Sequence, residues 1–412
     1  MSDLMNVDVA LGRILNEITR LNTETIPLDT ALGRVLAADI IASEDSPPFP
    51  TSAMDGFGVI VEDVAGASRD NPAVLDVVAD VQAGDSPMVK LSRGQAVRIM
   101  TGALVPDSVT AVIPIEQTDG DWQNPRPQVR IYTDAASNAN IRPAGENISA
   151  GWVIAHRGAT LRPQDIGILA VAGQSRVPVL RQSRVVIMST GDELVRVDQP
   201  LKPGKIRDCN CITLASMVTA AGGIPYRLPI VADTREAVRA AFEYALDHQP
   251  DMIISSGGVS MGAVDFVREI IEEIGAVDFW RINLKPGKPL AFGKLRDVPF
   301  FGLPGNPVSV MVTFDVLVKP ALLKQMNRGD HLLTRTAILQ KSVKSDGRRT
   351  YLRVKLKKEG ANLYADPVPV QSSGALWSMV IADGLLIIPE GIEQAQAGEL
   401  YSVRVLRAGF EE

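Results

Sequence analysis

The segment Asp251-Met-Ile-Ile-Ser-Ser-Gly-Gly-Val-Ser-Met-Gly262 decides the fold class of this sequence. It opens with a short apolar run of the kind that buried parallel strands have. Two adjacent glycines, Gly257 and Gly258, then allow a tight turn, and a helix is predicted after Gly262. Amide groups at the start of a helix attract phosphate, so this glycine loop is a candidate phosphate site. A tight strand-to-helix turn without a ligand remains the alternative.

Strands and helices alternate on both sides of this segment, which predicts an α/β domain over residues 183–328. Short apolar runs predict further strands at 184–188, near Ile230 and at 300–303, and helical periodicity predicts helices at 212–221, 235–246 and 308–323. The sheet is expected to be mostly parallel. Because such sheets bind ligands beyond the carboxyl ends of their strands, the loops at that edge form the candidate site.

Two proline-rich loops lie at this edge. Lys285-Pro-Gly-Lys-Pro289 holds two lysines three residues apart in a rigid loop, and rigid cations lose less entropy when they bind an oxyanion. A surface turn with solvated lysines is the alternative. Leu303-Pro-Gly-Asn-Pro-Val-Ser309 repeats the design after another strand, and its Ser309 hydroxyl is a candidate anion ligand.

Four carboxylates are predicted at the same edge. Glu193 follows the first strand, Asp208 precedes a helix, Asp233 follows the second strand and Asp265 follows the glycine turn. Such hard oxygen ligands can hold Mg²⁺ against a phosphate. Each carboxylate taken singly is more often a helix cap or a turn residue. Together with the lysine and glycine loops, they predict an anionic substrate and a bound metal.

Segments outside the α/β domain predict further domains. The apolar spacing that begins at Val7 predicts an amphipathic helix with Asp8 as its N-cap. Short β-branched segments over 51–147, with strands at 74–82 and 95–100, predict a small β domain, and period-two alternation predicts a C-terminal β domain over 329–412. Nine lysines and arginines between Leu332 and Gly360 form either a solvated strand face or a patch that meets an anion.

Composition excludes several classes of protein. A chain of 412 residues, 46% of them hydrophobic, is expected to form several packed domains. A net charge of −6 disfavours a nucleic-acid binder, and Asp315, Lys319 and Pro320 interrupt the longest apolar stretch, so no membrane span is expected. No signal peptide is expected, and two cysteines provide no disulfide framework, which fits a reducing cytosol. P-loop and dinucleotide-binding motifs are absent from the sequence, and the three histidines show no zinc-ligand spacing to the two cysteines.

Eight motifs in order along the chain resemble those of the molybdopterin molybdenumtransferase family, which includes bacterial MoeA and the gephyrin E domain. The resemblance runs from about residue 8 to about residue 407 and is specific because the motifs occur together. The motifs are Pro27-Leu-Asp-Thr-Ala-Leu-Gly-Arg-Val-Leu36, Pro48-Phe-Pro-Thr-Ser-Ala-Met-Asp-Gly-Phe57, Thr101-Gly-Ala103, Arg142-Pro-Ala-Gly-Glu146, Ser189-Thr-Gly-Asp-Glu-Leu194, Ser256-Gly-Gly-Val-Ser-Met-Gly262, Lys285-Pro-Gly-Lys-Pro289 and Leu303-Pro-Gly-Asn-Pro-Val-Ser309.

The resemblance implies an elongated cytoplasmic homodimer of four-domain subunits. A discontinuous domain would comprise residues 1–50 and 148–182, with the β domain 51–147 inserted into it. The α/β domain 183–328 would be of the molybdopterin-binding type, and residues 329–412 would form a β-barrel-like domain. The C-terminal domain of the partner subunit would close the pocket. A molybdopterin adenylyltransferase would deliver the substrate, and neither nucleic acid nor a membrane is an expected partner.

The implied reaction is Mg²⁺-dependent insertion of molybdate into adenylylated molybdopterin, with hydrolysis that releases AMP and molybdenum cofactor. The resemblance assigns Mg²⁺ to Asp233 and Asp265, with Glu193 and Lys285 as further catalytic residues. Phosphate or pterin would be held by Gly257, Gly258 and Ser260, and molybdate by Lys288, Ser309, Arg348 and Ser373. Asp55 and Thr101 would reach the site of the neighbouring subunit. The remaining expected substrate-binding residues are Arg142, Asp208, Pro289, Pro304, Gly305, Asn306 and Pro307.

Two rival functions compete with this one. A molybdopterin adenylyltransferase would use the same α/β domain, but that family has little else and its glycine loop tends to read Gly-Gly-Thr-Gly. A scaffold protein of the gephyrin type is the second rival, although this chain retains the acidic and basic loop residues and lacks a fused second domain.

Overall fold

The computed structural model describes residues 4–86, 88–258, 266–329 and 333–407. The chain forms two compact units, one made of Met1–Glu24 together with Leu180–Glu412 and the other made of Thr25–Val179. The α-helices of the described part are α1 (Val7–Glu17), α2 (Pro163–Val171), α3 (Asn210–Ala220), α4 (Arg235–Asp247), α5 (Phe266–Ile274), α6 (Pro307–Thr313), α7 (Lys319–Gln325) and α8 (Trp377–Ile381). Among these helices, none is long and apolar enough to cross a membrane.

A six-stranded sheet forms the centre of the α/β domain. Its strands are β1 (Arg184–Ser189), β2 (Ile224–Arg227), β3 (Met252–Ser256), β4 (Gly275–Arg281), β5 (Pro289–Leu295) and β6 (Val298–Leu303). In the spatial order β2-β1-β3-β6-β5-β4, the first four strands are parallel, and β5 and β4 are added through antiparallel pairings. The predicted α/β class with a mostly parallel sheet is confirmed. The second strand spans Ile224–Arg227 and so ends before the predicted position near Ile230, although the amides of Leu228 and Val231 still donate to the carbonyls of Ile187 and Ser189, both at 2.9 Å.

The continuous apolar run of β1 exists because helices cover both faces of the sheet. Val185 and Ile187 pack into one core with residues of α1, α3, α6 and α7. The alternate residues, Val186 and Met188, pack into a second core with residues of α4 and α5. The two cores cover the faces of the sheet, and the loops lie at its carboxyl edge.

The N-terminal helix α1 belongs to the core of the α/β domain, whereas the prediction grouped it with 148–182. Its N-cap is Asn6 and not the predicted Asp8, because the Asn6 side chain accepts hydrogen bonds from the amides of Asp8 at 2.9 Å and Val9 at 3.2 Å. Asp8 instead accepts two hydrogen bonds of 2.6 Å from the guanidinium of Arg349. The other boundaries of the predicted domains stay predictions.

The helix predicted at 308–323 is present but is not uniform. A π-helical segment, Phe314–Val318, joins α6 to α7. Pro320 cannot donate a backbone hydrogen bond, and Arg404 donates to both the carbonyl of Asp315 at 3.3 Å and its carboxylate at 2.7 Å. These two features together account for the wider turn.

The C-terminal domain is a closed β-barrel, as predicted. Its strands are β7 (Thr334–Leu339), β8 (Arg349–Glu359), β9 (Asn362–Pro367), β10 (Gly384–Ile388) and β11 (Leu400–Val405). The order is β8-β9-β7-β11-β10, and pairing of β10 with β8 closes the ring. The short strand Leu284–Lys285 pairs in parallel with the beginning of β8. The lysine loop of the α/β domain is therefore attached directly to the barrel.

The second unit contains a five-stranded sheet with its own apolar cores. In spatial order its strands are Ala111–Pro114, Gly56–Val59, Gln95–Ile99, Ala73–Val81 and Gln128–Ile131. A further core joins residues 28–40 to residues 161–179 around α2. The remaining short strands of the described chain are Thr23–Pro27, Ile40–Ile41, Thr51–Ser52, Ile141–Arg142, Val153–Ala155, Arg176–Leu180, Leu194–Val195, Ile206–Arg207, Val343–Lys344 and Gln394–Ala395.

Candidate active site

A cavity of about 810 Å³ lies at the carboxyl edge of the α/β sheet. The chain passes from β1 outward to β2 and then returns to β3 on the other side of β1, so the cavity is at the point where strand order reverses. The loops after β1, β3 and β6 and the lysine loop form one wall, and the barrel forms the other. Its lining residues include Thr190, Gly191, Glu193, Asp233, Gly257, Gly258, Lys285, Pro286, Gly287, Lys288, Pro289, Pro304, Gly305, Asn306, Ser309, Lys344, Arg348, Thr350, Arg353, Gln371 and Ser373.

The glycine turn after β3 requires glycine on geometric grounds. Gly257 and Gly258 have φ values of +89° and +67°, a region that other residues rarely adopt. A Cβ atom on Gly258 would lie 2.3 Å from Cγ2 of Val267, and one on Gly257 would lie 2.8 Å from the carbonyl oxygen of Thr190. The backbone of this turn is therefore exposed to the cavity without side chains of its own.

The lysine loop is held by its neighbours. Pairing of Leu284–Lys285 with β8 fixes one end, and Gly287 packs so closely that a Cβ atom there would lie 2.5 Å from Oγ1 of Thr313. The Lys285 ammonium lies 3.2 Å from a carboxylate oxygen of Asp346. The Lys288 side chain is exposed and has no carboxylate partner within the described ranges.

The two serines predicted to bind the anion come from different domains. Ser309 lies in the first turn of α6 and is 4% exposed. The carbonyl of Ser373 accepts a hydrogen bond of 3.0 Å from the amide of Val308, which attaches the barrel loop to the start of α6. The resemblance implied that the partner's C-terminal domain closes the pocket. In the structure the barrel of the same chain lines the cavity, because the lysine loop continues into the barrel sheet, and closure by a partner subunit stays a prediction.

Carboxylates lie on the α/β side of the cavity. Desolvation raises the pKa of Asp233, and the neighbouring charges of Asp192 and Glu193 raise it further. A bound cation would relieve this repulsion, and hard oxygens suit Mg²⁺. The parts of the chain that the structure describes contain no ready-made group of three metal-binding side chains. Asp265 and Ser260 lie outside the described residues.

Three family models match the chain: the MoeA N-terminal region (domain I and II) over residues 5–173, a probable molybdopterin binding domain over 186–324 and the MoeA C-terminal region (domain IV) over 336–406. Molybdopterin molybdenumtransferase 2 of Mycobacterium tuberculosis is 37% identical over 91% of this chain and 93% of its own length. Molybdopterin molybdenumtransferase of Bacillus subtilis is 33% identical over 97% of this chain and 94% of its own length. The chain belongs to the MoeA family of molybdopterin molybdenumtransferases.

Solved MoeA structures share the whole fold. Two structures of the molybdopterin biosynthesis MoeA protein from Pyrococcus horikoshii match with TM-scores of 0.83 and 0.76 and identities of 32% and 29%. Each covers 98% of this chain and 100% of the solved chain. The resemblance inferred from the eight motifs is confirmed. The cavity described above lies between the matched molybdopterin binding domain and the matched MoeA domain IV.

Some of the predicted site residues lie elsewhere. Asp208 is buried and accepts a hydrogen bond of 3.1 Å from the amide of Cys211, so it caps α3, and it lines a separate cavity of about 670 Å³. Pro307 is the first residue of α6 and does not line the main cavity. Asp55, Thr101 and Arg142 belong to the second unit.

Within that unit, the amide of Thr101 donates a hydrogen bond of 2.7 Å to the exposed carboxylate of Asp55. Arg142 is exposed and lies 4.0 Å from the carboxylate of Glu146. Their roles at a neighbouring subunit stay predictions.

Three lining residues were not predicted, Thr190, Thr350 and Gln371, and two more, Lys344 and Arg353, were named only as members of the basic stretch between Leu332 and Gly360. Arg353 is the most unusual, because it is 2% exposed and burial lowers its pKa to about 10. The Arg353 guanidinium donates to the hydroxyl of Ser378 and to the carbonyl of Ser372, both at 3.2 Å. The sequence left Arg353 open between a solvated strand face and a patch that meets an anion, and in the structure β8 is buried at this position. The position of Asn210 was also missed. Its side chain donates to the Ser256 hydroxyl at 2.9 Å and to the Gly305 carbonyl at 2.7 Å, and so joins two loops of the cavity.

Proposed function

We propose that this protein is a molybdopterin molybdenumtransferase that inserts molybdate into adenylylated molybdopterin, with hydrolysis that releases AMP and molybdenum cofactor. One observation carries the proposal: a single cavity places lysines and arginines of the lysine loop and barrel opposite the carboxylates and glycine turn of a molybdopterin-binding domain. The cations on one side can bind an oxyanion. The glycine turn on the other side can bind a phosphate through its amides, and the neighbouring carboxylates can hold a metal against that phosphate.

The charges of the two substrates explain why such a cavity is needed. Molybdate and the pyrophosphate of the nucleotide are both dianionic, and at 5 Å their repulsion is on the order of 3 kcal/mol even in bulk water. The repulsion grows several-fold in a partly dry cleft. Lys285, Lys288 and Arg348 line the cavity and would offset it. Ser309 and Ser373 add hydroxyl donors to the same anion pocket.

The carboxylate side of the cavity would hold Mg²⁺. Asp233 supplies a carboxylate whose raised pKa reflects desolvation and crowding by other acids, a strain that a divalent cation removes. Asp265 is the second proposed ligand, with Glu193 in support. When bound, the metal neutralises phosphate charge. The backbone amides of Gly257 and Gly258 would orient the phosphate, with Ser260 beside them.

We also propose that the protein acts as a cytoplasmic homodimer. Asp55 and Thr101, which are exposed and joined by a hydrogen bond, would then contribute to the site of the neighbouring subunit. A molybdopterin adenylyltransferase would deliver the adenylylated substrate.

The test is AMP release from adenylylated molybdopterin by the purified full chain. We expect release that requires both Mg²⁺ and molybdate and that produces metal-loaded cofactor. Tight pterin binding without AMP release under any of these conditions would contradict the proposal and favour a scaffold function.

A further inference from the structure

Asp346 lies against two of the cations that the proposed anion pocket depends on. One carboxylate oxygen of Asp346 accepts from Arg348 Nη2 at 2.6 Å and lies 3.2 Å from Lys285 Nζ. The other oxygen accepts from Arg348 Nε at 3.2 Å. Lys288, by contrast, has no such partner within the described ranges.

The Asp346 carboxylate is charged, accessible and not fixed by packing. Arg348, and to a smaller degree Lys285, holds the pKa of Asp346 well below its usual range. The side chain is 43% exposed and lies in the turn before Gly347, which has a φ value of +78°. The carboxylate therefore occupies donors that would otherwise face the cavity, without being locked into a core.

We propose that Asp346 is an internal counter-anion of the molybdate pocket. It competes with the incoming oxyanion for Lys285 and Arg348, and it weakens the binding free energy of that oxyanion in proportion to the oxyanion's charge. This inference rests on the proposed function, because it takes the same cations as the molybdate ligands. Asp346 is on this view a specificity-determining residue that acts through its neighbours.

A purely structural role makes a different prediction. If Asp346 only held Lys285 and Arg348 in place, its removal would lower the binding affinity for all oxyanions of the same shape by a similar factor. An electrostatic competitor instead acts in proportion to ligand charge. For a charge about 6 Å away in a water-like dielectric, its removal should strengthen binding about threefold for a monoanion and about tenfold for a dianion.

The experiment measures binding of molybdate and of perrhenate, a tetrahedral monoanion of similar size, to the full chain by isothermal titration calorimetry. We expect Asp346→Asn to bind molybdate about tenfold and perrhenate about threefold more tightly than the unmodified protein. Asp346→Glu keeps the charge and should retain the original ratio of the two affinities.

Asp198→Asn is the matched control. Asp198 accepts the same forked pair of hydrogen bonds from an arginine two residues away, at 2.6 Å and 3.1 Å, but its partner Arg196 does not line this cavity, whereas Arg348 does. We expect no change in either affinity. Equal changes for both anions, or weaker molybdate binding in Asp346→Asn, would overturn the inference while leaving the anion pocket intact. If the unmodified protein binds neither anion, the molybdate assignment fails together with the inference.

Discussion

Arg353 provides a prediction whose size can be worked out from the structure. At about 1.4 kcal/mol per pH unit, the lowering of its pKa from 12.5 to about 10 means that burial disfavours the charged guanidinium by about 3 kcal/mol in the folded state. Two hydrogen bonds, to Ser372 and Ser378, return about 1 kcal/mol each. Replacement by methionine removes both the free-energy cost of burying the charged guanidinium and these two hydrogen bonds. The free energy of unfolding of Arg353→Met should therefore stay within about 1 kcal/mol of the original.

Anion affinity should respond differently. Arg353 lines the cavity and carries a charge that no carboxylate neutralises within the described chain. At roughly 8 Å and an effective dielectric of about 40, a unit charge contributes about 2 kcal/mol to the binding of a dianion, or about thirtyfold. Arg353→Met should thus bind molybdate about thirtyfold more weakly at nearly unchanged stability. Urea unfolding and calorimetric titration measure the two quantities.

Arg404→Met is the contrasting control. Arg404 is neutralised by Asp315 at 2.7 Å and does not line the cavity. Its loss should lower the free energy of unfolding by about 2 kcal/mol, because Asp315 loses its closest cation, without changing molybdate affinity. The reasoning is refuted if Arg353→Met loses several kcal/mol of stability while its molybdate affinity stays unchanged, since Arg353 would then be a structural residue.

Three further predictions concern the walls of the cavity. Lys288→Ala should lower molybdate-dependent AMP release at least tenfold, with the free energy of unfolding unchanged within about 0.5 kcal/mol, because this lysine is exposed; unchanged steady-state turnover would count against the anion pocket. Gly258→Ala should lower the free energy of unfolding in urea by about 2–3 kcal/mol, because the added Cβ atom would lie 2.3 Å from Cγ2 of Val267. Gly305→Ala should leave the free energy of unfolding unchanged, because no atom lies within 4 Å of its added Cβ atom. Because the pKa of Asp233 is raised, protons should compete with Mg²⁺ and weaken its apparent affinity as pH falls through that pKa; a pH-independent Mg²⁺ affinity in the original protein would contradict the assignment, and Asp233→Asn should lack the dependence.

Several features of the fold follow from local sequence and were predictable. The apolar run of β1 indicates a strand buried on both faces, and adjacent glycines after β3 indicate a turn that no side chain could occupy. The lysine loop is recognisable because its prolines restrict the backbone in any context. These signals depend only on residues close in sequence, so they survive without knowledge of the tertiary structure.

Other features depend on which distant segments meet. Whether Arg353 faces solvent or a core depends on what covers β8, and period-two alternation cannot report a strand that is covered on both faces. Asp208 lies in a loop like the other predicted carboxylates. Its side chain, however, accepts a hydrogen bond from the amide of Cys211 at the start of α3, and Asp208 does not line the main cavity. Asp346 meets Lys285 only because Leu284–Lys285 joins the barrel sheet.

Sequence alone therefore determined the kind of domain, the family and the loops that carry chemistry. Tertiary structure decided which side chains share the cavity and which charges oppose one another there. The physical reason is that backbone conformation is set by neighbours along the chain, whereas burial and charge pairing are set by neighbours in space.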